Sequence, residues 1–224
     1  QNYKFLPKSK ILTFEEIIRV INVCVPLGLK KVRITGGEPL LRTSIEDLIQ
    51  KIKFETSITD LALTTNGFLL SEKAILLRKA GLERITVSLD SLDDKVFSAM
   101  NGVNGKVNTI LNGIETAMNL GFRVKINMLV KKGMNEHDII PMVDYFKQKN
   151  ISLRFIEFMD VGNSNKWKPE DVFTSKNIIE NISEKYKFFE IPPDYESEVA
   201  RRFRFENSSS EFGIISSISH TFCG

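Results

Sequence analysis

Apolar residues recur along this chain with two alternating spacings. Gaps of three and four mark amphipathic helices, and short β-branched runs mark strands. Thr13 followed by Glu16 predicts a capping box opening a helix that Gly28 stops, and the strand Val32 to Thr35 comes next. Thr43 with Glu46 predicts a second capping box and a helix to about Phe54, before the strand Leu61 to Thr65. A helix from Ser71 to its stop at Gly81, the strand Ile85 to Leu89, a helix near Lys106 to Leu120 and the strand Phe122 to Val130 follow. Asn135 or Asp138 caps another helix, with Pro141 in its first turn if Asp138 is the cap. The strand Leu153 to Phe158 completes five strand–helix repeats.

Repeated βα units build an open doubly wound sheet or a barrel. Polar residues inside the strands (Arg33, Lys125, Asn127, Arg154, Glu157) suit a wet lumen better than a sheet covered on both faces. The expected fold class is α/β, an incomplete (β/α) TIM-like barrel over residues 1–160. Residues 161–224 are expected to form a C-terminal extension: a polar loop around Trp167, a helix near Ser175 to Lys185, and a hairpin of Val199 to Phe205 with Phe212 to Ile218.

Composition narrows this little. With 42% hydrophobic and 26% charged residues the chain is an ordinary globular one, and a net charge of +3 gives no reason to expect nucleic acid or a membrane surface. No apolar run approaches the roughly 18 residues of a membrane span. Two cysteines, Cys24 and Cys223, cannot make a disulfide framework, and a reducing cytoplasm is the expected location. The chain starts at Gln1 and stops one residue past Cys223, so it is expected to be a piece of a longer protein.

The candidate chemistry lies at strand ends, where parallel α/β folds bind ligands. Thr35-Gly36-Gly37-Glu38-Pro39 pairs two glycines, which admit a ligand to the backbone, with an acid that proline holds extended. Such a segment suits the ammonium group of an amino-acid-like ligand, or is only a tight turn. Thr64-Thr65-Asn66-Gly67, Ser88-Leu89-Asp90-Ser91 and Lys125-Ile126-Asn127 are further polar ends. Arg33, Lys125 and Arg154 lie on three strands, where a buried cation needs a partner. An internal salt bridge to Glu38 or Glu157, or a polyanionic ligand such as a nucleoside triphosphate, would supply it. Arg201, Arg202 and Arg204 read as a solvated hairpin face, Cys24 as part of a helix's core face, and neither His137 nor His220 has metal-ligand spacing.

In order, these segments resemble the radical S-adenosylmethionine (SAM) enzymes, and within them the MoaA family of GTP 3′,8-cyclases of molybdenum-cofactor biosynthesis. The resemblance runs from Lys4-Phe5-Leu6-Pro7 through Arg33 to Pro39, Thr64 to Gly67, Ser88 to Leu92 and Arg154 to Met159, to Ile218 to Gly224. It implies that Gly36, Gly37 and Glu38 hold the methionyl amine of SAM, with Ser88, Asn127 and Met159 as further SAM contacts. It implies that Arg33, Thr64 and Lys125 meet GTP, and that Arg154, with Arg33 and Lys125, lies near the reacting centre. The family uses two 4Fe-4S clusters and a SAM-derived radical to join C3′ of GTP to C8 of its guanine. It also suggests a homodimer that passes its product to the next enzyme of the pathway.

The sequence departs from the family where clusters bind. The amino-terminal Cys-x-x-x-Cys-x-x-Cys is absent, and of the second ligand set only Cys223 remains, so this piece by itself is expected to be inactive and to lack the first barrel strand. The alternatives are a radical SAM protein with another substrate, a cluster-free nucleotide- or protein-binding module, and a conventional barrel isomerase or aldolase; the last is weakened by the lack of a plausible acid–base pair.

Overall fold

The structure, a computed structural model, describes residues 10–102, 105–159, 167–194 and 198–219. Its strands are β1 (Lys31–Ile34), β2 (Asp60–Thr65), β3 (Arg84–Ser88), β4 (Arg123–Val130), β5 (Ser152–Glu157), β6 (Phe188–Ile191), β7 (Arg201–Phe205) and β8 (Glu211–Ile215). Its helices are α1 (Phe14–Cys24), α2 (Ile45–Glu55), α3 (Leu70–Lys79), α4 (Asp94–Asn101), α5 (Val107–Asn119), α6 (Ile139–Gln148) and α7 (Ser175–Ser183). The strands follow the order β1-β2-β3-β4-β5-β8-β7-β6, which ends on β1 and β6 and does not close. None of the described helices is long and apolar enough to cross a membrane. The chain divides into two compact units, residues 1–86 with 112–123 and residues 87–111 with 124–224.

In the first unit, β1 and β2 run parallel with Arg33 opposite Ala62. The predicted capping box of α1 forms: Glu16 N donates to Thr13 Oγ1 at 3.2 Å and Thr13 N donates to Glu16 Oε2 at 2.8 Å. Each such cap is worth about 1 kcal/mol. The box expected from Thr43 and Glu46 does not form, because the chain enters α2 through Ser44 at φ +54° with no side-chain cap bond. Ile45, Leu48, Ile49 and Ile52 of α2 are buried, the core face its spacing predicts. On α1 the buried positions are Ile18 and Ile21, whereas Cys24 is only half-buried.

In the second unit, β4, β5 and β8 are parallel neighbours, and β6 and β7 complete the order with antiparallel pairing. The hairpin β7–β8 is therefore part of the sheet: Leu153 to Ile156 pair with Phe212 to Ile215. Phe212 stacks on Phe203 with centroids 5.0 Å apart and meets Phe188 edge-on at 5.0 Å, one aromatic core beneath the sheet's extension. Two elements have no counterpart in the sequence expectation. Helix α4 is capped by Asp93, whose carboxylate accepts from Lys95 N and Val96 N, and β6 pairs with β7. Asp138 is the residue preceding α6, which puts Pro141 in the first turn.

Burial along β5 alternates strictly: Leu153, Phe155 and Glu157 are buried, and Ser152, Arg154 and Ile156 are half-exposed. Successive side chains of a strand point to opposite faces. Glu157 therefore lies on the face away from Arg154, which corrects the expectation that both polar residues point into one lumen.

Candidate functional site

Gly36 takes φ +153°, a conformation side-chained residues rarely adopt, and a Cβ built on Gly36 or Gly37 would meet no atom within 4 Å. The backbone here is open to a ligand. The next residue is extended, as its proline dictates, with Glu38 at φ −127° and ψ 109°. Its carboxylate folds back on its own chain: Oε1 accepts from Thr65 Oγ1 at 2.7 Å and Leu40 N at 3.0 Å, and Oε2 accepts from Asn66 N at 2.6 Å. These bonds fasten the glycine loop to the Thr65-Asn66-Gly67 end of β2. Arg33 extends beside it, donating from Nη1 to Thr64 Oγ1 at 2.9 Å and to Thr86 Oγ1 at 3.1 Å. Thus Arg33 and Thr64 come together, as do Glu38, Thr65 and Asn66.

The second unit collects the other candidates. Asn127 sits opposite Arg154 and Lys125 opposite Ser152, so Lys125, Asn127 and Arg154 share one face. Lys125 and Asn127 are half-buried, and the Oδ1 of Asn127 is buried with no hydrogen-bond partner among the described residues. Arg154 faces Gly213 across β8, where a Cβ would stand 3.3 Å from Arg154 Cγ; the missing side chain makes room for the arginine's stem. Its guanidinium donates to Glu198 at 3.0 Å, and the Glu198 side chain is 1% exposed. Ser88 is half-buried at the end of β3, and Met159, two residues past β5, is 40% exposed. Cys223 lies outside the described residues, as does His220. Arg201 pairs with Glu190, and Arg202 and Arg204 share Glu211. Among the described residues no group of three or more His, Cys, Asp or Glu is placed to hold a metal ion.

Three residues organise this unit through bonds that no local sequence signal announces. Glu198 sits in an acidic loop with no motif. Glu157, fully buried, accepts from Ser175 N at 2.6 Å, Ile218 N at 2.8 Å, Ser219 N at 2.9 Å and Ser219 Oγ at 2.5 Å. Burial opposes its charge, but the bonds from Ser219, Ile218 and Ser175 prevail and hold its carboxyl below the usual carboxylate range. Asn135, fully buried, donates from Nδ2 to Asp90 O at 2.8 Å and Leu129 O at 2.7 Å, and accepts at Oδ1 from Lys131 N at 2.8 Å. Asp90 itself accepts from Leu129 N at 2.8 Å; burial pushes its carboxyl up to about 6 despite that bond.

The first unit thus holds open glycines beside a fastened acid, and the second sets Lys125 and Arg154 on one face. Residues 1–146 match the radical SAM superfamily, and residues 151–224 match the family described as Molybdenum Cofactor Synthesis C. The first match takes in well over half of the sequence, and the chain belongs to the radical SAM superfamily. Within it, the chain is 47% identical over 222 residues to the GTP 3′,8-cyclase of Staphylococcus epidermidis, 48% to that of Staphylococcus haemolyticus and 45% to that of Staphylococcus aureus. Each comparison covers 99% of this chain and 65% of the relative, so the chain spans just under two thirds of the length of these curated proteins. Solved structures confirm the fold. Streptococcus suis SuiB bound to SAM aligns with a TM-score of 0.68 at 21% identity over 82% of this chain and 42% of its own. The anSMEcpe structure with bound AdoMet gives 0.63 at 16% identity over 81% and 53%.

The residues present fit SAM. In the first unit the backbone at Gly36 and Gly37 is clear of side chains among the described residues, and in the second Asn127 Oδ1 is a buried acceptor with no donor among them. They do not fit an iron–sulfur cluster, which takes three or four protein ligands where the whole sequence has two cysteines.

Proposed function

We propose that this chain forms the body of a GTP 3′,8-cyclase, which joins C3′ of GTP to C8 of its guanine to give 3′,8-cyclo-7,8-dihydroguanosine 5′-triphosphate for molybdenum-cofactor biosynthesis. The observation that carries this reading is 45–48% identity to such cyclases along 99% of the chain. When bound, SAM supplies the radical chemistry of the superfamily. This chain's residues supply placement and exclusion of water.

In this reading the open backbone of Gly36 and Gly37, with Glu38, receives the methionyl end of SAM, and Ser88, Asn127 and Met159 make further contacts. Arg33, Thr64 and Lys125 receive GTP, their cations opposing the triphosphate charge. Thr64 and Thr86 already hold the Arg33 guanidinium in place, so less side-chain entropy is lost on binding. Arg154 lies near the reacting centre, its guanidinium turned toward Glu198. Residues 1–160 form the SAM-binding barrel domain and residues 161–224 the extension that leads to Cys223, a ligand of the second cluster. A homodimer, a cytoplasmic location and transfer of the product to the next enzyme complete the proposal.

Lys125→Ala and Arg33→Ala, made in the natural polypeptide, test it. Each removes a charge-assisted contact worth about 1.5–3 kcal/mol, so GTP affinity should fall roughly ten- to a hundredfold while SAM affinity changes little. Equal loss of both ligands would contradict the assignment.

A further inference from the structure

Strand β3 ends at Ser88, and beyond it the pairing with the β4 segment is carried on by side chains. Leu89 N still donates to Asn127 O at 2.9 Å. From there Asp90 takes over, its carboxylate accepting from Leu129 N. Asn135 closes the set by donating one amide hydrogen to Asp90 O and the other to Leu129 O, while its oxygen accepts from Lys131 N. Both amide hydrogens and the oxygen of one fully buried side chain are thus engaged by backbone groups of two neighbouring segments. Residues 127–129 are pinned at both ends, at Asn127 by Leu89 and at Leu129 by Asp90 and Asn135.

Asn127 opens that pinned span, and its buried Oδ1 has no partner among the described residues. An orphaned buried acceptor is costly, and a donor arriving with a ligand recovers that cost only where its geometry is met. We infer that Asn135, acting through Asp90 and Leu129, is a positioning residue that aims the Asn127 amide at a hydrogen-bond donor of the ligand. This rests on the reading of Asn127 as a SAM contact. Asn135 itself needs no contact with the ligand, because its bonds go to backbone atoms.

A double-mutant cycle on SAM binding tests it, with Asn135→Ala and Asn127→Leu made singly and together in the natural polypeptide and affinity read by calorimetry. Asn127→Leu should weaken binding about tenfold, Asn135→Ala by a similar factor, and the double variant by less than twofold beyond Asn127→Leu alone. Independent effects, with each substitution costing its full factor in the other's background, would overturn the inference and leave the role of Asn127 standing. Full affinity in Asn127→Leu would overturn the SAM assignment of Asn127 and the inference together. Should Asn135→Ala fail to fold, Asn135→Asp keeps the acceptor for Lys131 N and loses both donors. It should show the same dependence on Asn127, and unaltered SAM affinity in that folded variant would refute the positioning role.

Discussion

Replacing Glu38 by glutamine exchanges one carboxylate oxygen for an NH2 group and removes a charge, leaving the side chain's length and shape. The carboxylate accepts three bonds, at 2.7 Å from Thr65 Oγ1, 3.0 Å from Leu40 N and 2.6 Å from Asn66 N. An amide has one acceptor atom, so whichever way it turns, at least one donor meets another donor. Hydrogen bonds to a charged group contribute about 1.5–3 kcal/mol and neutral ones about 0.5–1.5 kcal/mol. Losing one bond outright and the charge from the others costs about 3–4 kcal/mol, and partial exposure brings this down to about 2–3 kcal/mol. Urea denaturation followed by circular dichroism should show the midpoint falling with the slope unchanged. SAM affinity should fall as well, because the glycine loop is fastened by these same bonds. A stability change under about 0.5 kcal/mol, with SAM binding lost, would refute the fastening argument: Glu38 would then serve the ligand alone.

Three further tests probe the second unit. The Asp90 carboxyl is raised to about 6 by burial, above the ordinary value of about 3.9, so the folded state holds its proton more tightly than the unfolded one. That contribution is present below about pH 4 and is lost as pH rises to about 6, an amount on the order of 3 kcal/mol. Asp90→Asn should remove it, so the stability of the variant relative to the wild type should climb across that window; a flat difference would contradict the assignment. Gly213→Val would set a branched side chain against Arg154 Cγ, 3.3 Å from where its Cβ must stand, at a cost of about 1–3 kcal/mol. Pairing it with Arg154→Ala should recover part of that loss, and full additivity would show that the arginine's stem is not what the glycine accommodates. Glu157→Gln should cost about 3 kcal/mol and speed amide hydrogen exchange at Ile218 and Ser219 first, since both N–H groups donate to that carboxylate. Uniform exchange across the sheet would instead mean general loosening.

Local signals in the sequence are faithful where one segment decides the outcome. Thr13 and Glu16 sit at capping-box spacing and form the box, and Pro39 holds Glu38 extended ahead of it. Thr43 and Glu46 have the same spacing and fail, because the chain enters α2 through a left-handed Ser44, a conformation no side-chain pattern announces. Helix α4 had a legible cap in Asp93 but only eight residues to carry a period. Strand β6 reads Phe-Phe-Glu-Ile, too short and unalternating to stand out, and its stability comes from long-range pairing with β7. The place of the hairpin was hidden for a similar reason, since the parallel partner of β8 lies about sixty residues earlier in β5. The face of Glu157 was legible after all: it lies three positions after Arg154, and odd spacings change faces.

The candidate site divides in the same way. Gly36, Gly37 and Glu38 were marked by composition and spacing, and the strand cations by their cost of burial. The residues that hold those groups in place were not. Asn135 read as a helix cap and Glu198 was not singled out, because their partners are backbone atoms and an arginine far off in sequence.

Conversion of nucleotide by the natural polypeptide bears most directly on the central claim. The protein would be reconstituted anaerobically with iron and sulfide and incubated with SAM, a reductant and either GTP or ATP, and 5′-deoxyadenosine and the cyclised nucleotide would be quantified together. A GTP 3′,8-cyclase predicts both products in equal amounts with GTP and neither with ATP. Formation of 5′-deoxyadenosine at the same rate with either nucleotide, and no 3′,8-cyclised product, would contradict it.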